Sequence, residues 1–429
     1  MPPADAGHAL LLAAWETALA SVDPAGRLPP LLPPPDHRPT QVLAVGKAAA
    51  AQLRAFVAAW PAPVTGLLVT PRDSPAGVVP AGIETCLAGH PVPDAGSERA
   101  AQLALALARR AGPDDRLVVL LSGGASALLA APAPGITLAD KQHLARRLLA
   151  AGLDIHVLNG IRRKLSLVKG GRLARAFVGE ELWLFALSDV PGDVLADIGS
   201  GPCAPDPVPL ADARRALAGA GITPPPAIAA RLASAAAEPL PADDPCFRRV
   251  RGALIGRPAD ALAAAAATLA AAGWPVTVLG EATGSALDLA RVHAGLATDA
   301  LARGERRAFV SGGETTHRVA TPGGRGGRNT TYLLALGLAL PAAAPVVALA
   351  ADTDGIDGIG GHAGAFLGPQ TLARARAAGV DAAAALAEDD SARIFEAAGD
   401  LFAPGPSGTN VNDLRILLVD PRGGRATVG

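Results

Sequence analysis

The chain has 429 residues, enough at roughly 100 to 200 residues per domain for two or three domains with proper cores. Its 38 Lys and Arg balance 39 Asp and Glu, and only 3% of residues are aromatic. It therefore offers neither the basic field nor the stacking surface that nucleic acid needs, nor a field that would hold it to an anionic membrane.

The opening segment, MPPADAGHALLLAAWETALA, lacks a basic n-region and carries Glu16, so it reads as an amphipathic helix and not a signal peptide. Strands are predicted at 41–45, 65–70, 116–121 and 181–187, alternating with helices at 48–59, 97–111 and 137–150; Thr137 caps the last and Gly152 ends it. Such alternation predicts an α/β fold with a parallel sheet covered by helices. Residues 202–245 turn rich in proline and alanine, with Pro-Pro-Pro at 224–226, and set the expected boundary between domains 1–245 and 246–429. Beyond it come a helix from Asp260, a strand at 275–279, a helix from Ser285, strands at 307–310 and 345–349, and a closing strand at 414–419. No fixed-period repeat is present.

Half the residues are hydrophobic and the mean hydropathy is +0.31, mostly through alanine. The uncharged runs 261–280 and 333–351 are broken by Gly273 and Pro275 and by Pro341 and Pro345, so each reads as helix, turn and strand and not as a membrane span. Cys86, Cys203 and Cys246 are far apart and lack metal-ligand spacing, which fits a reducing, cytoplasmic setting.

Glycine-rich polar loops recur after predicted strands, where open α/β sheets bind ligands. In AVGKAAA, Gly46 and Lys47 follow the first strand and set an ammonium beside free backbone N–H groups, either an anion site or a turn with a solvated lysine. In LSGGASALL, Ser122, Gly123, Gly124 and Ser126 combine a nest of N–H donors with hydroxyls suited to phosphate or carboxylate oxygens. NGIRRKLSLVKGGRLA gathers Arg162, Arg163, Lys164, Lys169 and Arg172, a set that suits polyphosphate or, more blandly, a solvated helix face. In LSDVPGDVLADIGSGP, Asp189 and Asp193 are candidates to hold Mg²⁺ or to take a proton, or are turn residues.

Later in the chain, VSGGETTHRV places Gly312, Gly313 and Glu314 after a strand, and GGRGGRN sets Arg325, Arg328 and Asn329 among four glycines ahead of a helix. A planar guanidinium there suits transition-state phosphoryl oxygens. ADTDGIDGIGGHAG contributes Asp352, Asp354 and Asp357, and GTNVND contributes Asn410, Asn412 and Asp413; both also read as turn chemistry. No P-loop, GxSxG or HExxH is present. Gly358, Gly360 and Ala363 fit G-x-G-x-x-A, but too far past their strand for a dinucleotide turn.

In this order, and with GHPVPD at 89–94, the motifs resemble the glycerate 2-kinase family, whose C-terminal part is called the MOFRL domain. The resemblance covers nearly the whole chain. It implies a large Rossmann-like N-terminal domain, a smaller α/β MOFRL-type domain, a site in the cleft between them, and ATP-dependent formation of 2-phosphoglycerate with Mg²⁺. It puts Lys47 and Arg328 at the family's basic catalytic positions and leaves Asp189 as metal ligand or base. Substrate and nucleotide contacts would come from Gly46, Ser122, Gly123, Gly124, Ser126, Arg162, Lys169, Gly312, Gly313, Glu314, Asn329, Asp354 and Asn410, and metal contacts from Asp189 and Asp193. Two departures stand out: GGRNTT replaces the family's GGRNQE, and Gly361 and His362 stand where an acidic residue is usual. A hydroxypyruvate reductase using NAD(P)H and a non-catalytic sugar-acid-binding regulator are the competing readings. Monomer and homodimer are both left open.

Overall fold

The structure is a computed structural model that describes residues 6–74, 77–153, 155–317, 324–358 and 360–422. By compactness the chain divides into two units, one of residues 24–255 and one formed by residues 1–23 with 256–429. Each is described by itself.

The first unit is built on strands β1 (Thr40–Val45), β2 (Thr65–Pro71), β3 (Ile83–Ala88), β4 (Arg116–Leu121), β5 (Glu181–Leu187) and β6 (Val250–Gly256), in the order β3-β2-β1-β4-β5-β6. The ladders from β3 through β5 are all parallel. Every residue of β4 is buried, which is why RLVVLL reads as a continuous apolar run and not as an alternation. Successive side chains point to opposite faces: Leu43 and Val45 join Ala100, Ala104 and Leu105 of the Ala95–Arg110 helix in one core, while helix Ala49–Ala59 packs on β1, β2 and β4 from outside that cluster. Asp94 and Ser97 form a capping box at the start of the Ala95–Arg110 helix.

The proline-rich stretch 202–245 is not a free linker. Its helices Leu210–Gly219 and Pro226–Ala233 bury Leu210, Leu217, Ile228 and Leu232 against Leu144, Leu148, Leu158 and Ile161. Pro226 sits in the first turn of its helix, where its missing N–H costs nothing. The compact units part near residue 255, ten residues beyond the division expected from composition, and helix Ala6–Ser21 goes with the later unit by packing on helix Pro258–Ala271.

The second unit carries β7 (Val276–Glu281), β8 (Gly284–Ser285), β9 (Arg307–Gly313), β10 (Thr315–Thr316), β11 (Val346–Asp352), β12 (Gly364–Leu367), β13 (Leu401–Phe402) and β14 (Asp413–Val419). Its main sheet runs β13-β12-β11-β14-β9-β7. Unlike the first sheet this one is mixed: only β7 and β9 are parallel, and the other four ladders are antiparallel. The closing strand β14 slots between β9 and β11, with Asp413 opposite both Gly313 and Asp352. Running against its neighbours, β14 starts where they end, so three motif loops meet at one end of the sheet.

Candidate functional site

In the first unit the strand order reverses between β1 and β4, and the crevice at their C-terminal ends is where such sheets take ligands. Gly46 ends β1 with φ +134°, and a Cβ there would lie 2.1 Å from Ser122 Oγ, so only glycine lets the two loops touch. The N–H groups expected to be free beside Lys47 are not: Gly46 N–H donates to Val69 O (3.2 Å), Lys47 N–H to Gly123 O (2.9 Å) and Ala48 N–H to Ser122 Oγ (3.1 Å). Neighbouring strand-end loops consume them. Ser122, fully buried, thus acts as a latch between loops, while the half-buried Lys47 side chain supplies the charge.

Gly124 has φ +82°, and a Cβ there would meet the His90 ring at 3.0 Å and Lys47 Cγ at 3.5 Å. His90, in the loop after β3, therefore belongs beside Lys47, a neighbour the sequence reading missed although GHPVPD marked its loop. In that motif Asp94 accepts from the N–H groups of Gly89 (2.9 Å) and Ser97 (3.0 Å) and pairs with Arg72 (2.7 Å). Burial works against its charge, yet Arg72 and those N–H groups hold the Asp94 carboxyl down at about 2. Its work is structural.

The basic set after β4 splits in two. Arg163 pairs with Asp197 (3.0 Å) and Asp206 (2.8 Å), and Lys164 with Asp206 (2.5 Å), all buried, so these cations are neutralised within the scaffold. Arg172 donates to backbone carbonyls of Arg163, Lys169 and Glu238. Arg162 and Lys169 are different. Lys169 Nζ donates to Ser126 O (2.7 Å) and Oγ (3.2 Å), Ser126 Oγ lies 2.7 Å from Ser200 Oγ, and among the described residues Arg162 reaches only Asn159 Oδ1 at 3.4 Å. Burial and the fields of Arg162, Lys141 and Arg163 drive the Lys169 pKa far down.

Asp189 follows β5, and Asp193 lies six residues past the end of that strand with φ +57°. Asp193 Oδ1 is buried without a hydrogen-bond partner among the described residues. Ser200 in the same loop also has φ +62°. Left-handed backbone at non-glycine residues costs about 1–3 kcal/mol each and gathers where surroundings fix a functional geometry. No cluster of three or more His, Cys, Asp or Glu suited to a metal occurs among the described residues. The orphaned oxygen of Asp193 with Asp189 nevertheless fits Mg²⁺, which takes one or two carboxylates and fills its shell with phosphate and water.

In the second unit the site grows from Arg328, first residue of helix Arg328–Ala339. Its guanidinium donates to Asp413 (2.8 and 3.0 Å), Glu314 (2.8 Å) and Asp352 (2.5 Å). Burial opposes its charge, but Asp413, Asp352 and Glu314 outweigh that and raise its pKa above the ordinary range. Asp413 also takes Arg415 (2.5 Å) and Asn329 Nδ2 (2.8 Å). Asp352 and Asp413, quoted only within motifs from the sequence, are what fix Arg328. Glu314 is more than half exposed and Gly313, φ +89°, brings its loop within Cβ-clash distance of Ala282. Gly312 O accepts from Arg415.

Asp357 receives the N–H groups of Asn329 and Thr330 at 3.0 Å each and caps that helix. Thr330 Oγ1 binds Gly327 N–H (3.0 Å) and Asp357 (3.1 Å), and Thr331 Oγ1 binds Ser391 Oγ (3.1 Å); both threonines are wholly buried. The departure at GGRNTT is therefore a change in helix capping and packing. At the second departure, His362 is buried and accepts Asp357 N–H on its carbonyl, while Gly361 takes φ +74°. Asp354 and Asn410 are buried in the flanking loops, Asp354 receiving Ile356 N–H at 2.9 Å. Gly358 and Ala363 precede antiparallel strand β12 and no helix, so the glycine pattern there has no dinucleotide geometry.

All three cysteines are free and buried, and among the described residues no helix is long and apolar enough to cross a membrane. A family described as a domain of unknown function (DUF4147) matches residues 10–233, and the MOFRL family matches residues 307–413. A protein of Agrobacterium vitis, provisionally named a hydroxypyruvate reductase, is 42% identical over 94% of this chain and 93% of its own. The glycerate 2-kinase of Pyrococcus horikoshii is 33% identical, covering 80% of this chain and 79% of its own, and the D-glycerate 2-kinase of Thermotoga maritima is 31% identical over 88% and 90%. The crystal structure of a glycerate kinase from Thermotoga maritima superposes with a TM-score of 0.82 at 30% identity, over 96% of this chain and 99% of its own.

Proposed function

This chain belongs to the glycerate 2-kinase family, and on that premise we propose that it moves the γ-phosphoryl group of ATP onto the 2-hydroxyl of D-glycerate, giving 2-phosphoglycerate and ADP with Mg²⁺. What carries the reading is the likeness to a solved glycerate kinase over nearly the whole of both chains, joined to charged loops at strand ends in each unit. Phosphoryl transfer asks little covalent chemistry of a protein and much positioning and charge, which a kinase lacking a P-loop must draw from lysine, arginine and metal.

Lys47 then neutralises phosphoryl oxygens, and Arg328, prevented from swinging by three carboxylates, presents a pre-oriented guanidinium to the transferring group. Asp189 accepts the proton of the attacking hydroxyl. Asp193, with Asp189, would hold Mg²⁺, which would supply positive charge against the phosphate oxygens. A coupled assay with D-glycerate, ATP and Mg²⁺ that identifies the phosphoglycerate isomer tests this, with 2-phosphoglycerate expected; no ADP formation at any metal concentration would dismiss it.

The reductase reading is favoured by one observation, the strand order 3-2-1-4-5-6 that dinucleotide folds share. Against it, the β1 turn reads Gly46-Lys47-Ala48 and has no second glycine for a pyrophosphate to approach. Oxidation of NADH or NADPH by hydroxypyruvate without ATP would establish it.

A further inference from the structure

Lys141, on the first turns of helix Leu138–Ala150, belongs to none of the recurring motifs and to none of the assignments above. Its ammonium is enclosed by protein and has no hydrogen-bond partner among the described residues. The charges that act on it are Arg162, which repels it, and Glu98, which attracts it. Arg162 and Lys141 in turn both act on Lys169, so three cationic side chains from three segments converge near the hydroxyls of Ser126 and Ser200. Burial and the like charge of Arg162 lower Lys141 to about 7, against the pull of Glu98.

A buried unpaired ammonium is costly, and chains keep one where something else supplies the counter-charge. The donors here are a guanidinium fork, two ammoniums and two hydroxyls, all from side chains. A carboxylate fits the fork, and hydroxyls on the same small molecule fit Ser126 and Ser200. We infer that Lys141, Arg162 and Lys169, with Ser126 and Ser200, form the seat for the carboxylate of a small hydroxy acid. The identification of that acid as the acceptor glycerate rests on the kinase reading; the seat itself rests on the cluster.

Titration calorimetry on the full chain without turnover tests it, using D-glycerate, glycerol and a non-hydrolysable ATP analogue against wild type, Lys141→Met and Lys141→Arg. The seat requires that wild type bind glycerate and not glycerol, that Lys141→Met weaken glycerate at least tenfold with the analogue's affinity kept, and that Lys141→Arg recover part of the loss. It also requires that ligand-free Lys141→Met melt at or above wild type, since an unpaired buried charge has been removed. Unchanged glycerate affinity in Lys141→Met, loss of the analogue instead of glycerate, or a lower melting temperature would each overturn the seat. Glycerate kinase activity in wild type alongside unchanged binding in Lys141→Met would overturn the seat and leave the kinase reading standing. Lys141-dependent glycerate binding without phosphotransfer would do the reverse.

Discussion

Replacing Arg328 with Gln should damage stability as well as turnover. The guanidinium is the shared partner of Asp352 and Asp413, whose side chains are 3% and 0% exposed, and of the exposed Glu314. Removing one partner of a buried pair costs about 3–5 kcal/mol, because the carboxylates left behind are desolvated and uncompensated. Asp413 keeps Arg415 and Asn329, and Asp352 keeps the N–H of Asp354, so the lower end, about 3 kcal/mol, is expected. For a unit of this size that lowers the melting temperature by about 6–12 °C. Turnover should fall by about 10³-fold, the order expected for a lost transition-state cation. Calorimetry of wild type, Arg328→Gln, Asp352→Asn and the double variant measures the coupling. A single variant melting within 1 °C of wild type, or a double variant no better than the sum of the two, would refute the argument that these carboxylates hold the arginine.

Lys47→Ala should lower kcat by about 10³-fold with a smaller change in the KM for glycerate, checked by steady-state kinetics. Asp193→Asn should raise the Mg²⁺ concentration needed for half-maximal rate, and an unchanged metal titration in both it and Asp189→Asn would move the metal elsewhere. His293, pushed down to about 4 by burial and by Arg415, stays neutral in the folded chain while the unfolded chain protonates near 6.5. Unfolded protein then binds the extra proton between pH 6.5 and 4, so stability falls as pH drops through that window. His293→Gln should flatten that part of the pH–stability curve, read by urea melts.

Most of the strands that sequence reading located, such as β4, are buried on both faces, although β7 is not; β3, with IETCLA half exposed at the sheet edge, gave no comparable run and was missed. Pairing direction was not legible in the second unit, because a strand buried on both faces looks the same whether its neighbours run with it or against it. Site loops were legible as glycine-rich turns, but the partners of their charges were not. Arg162 and Arg163 are adjacent in sequence, and only the fold reveals that Asp197 and Asp206, more than thirty residues on, neutralise the second. Lys141 carried no signal because enclosure without a partner is a property of three-dimensional surroundings.

The placement of β14 at the middle of its sheet bears on the order in which this protein can mature. The segment that brings Asp413 to Arg328 and joins β9 to β11 leaves the ribosome long after helix Ala6–Ser21, which packs on the same unit. Residues 24–255 hold a complete sheet of their own and can consolidate during synthesis. The other unit cannot: helix Ala6–Ser21 waits for helix Pro258–Ala271, and the main sheet stays split between β9 and β11 until Asp413–Val419 emerges. Completion of that sheet, and the tolerance of the molecule to truncation near residue 419, are thus tied to one short strand.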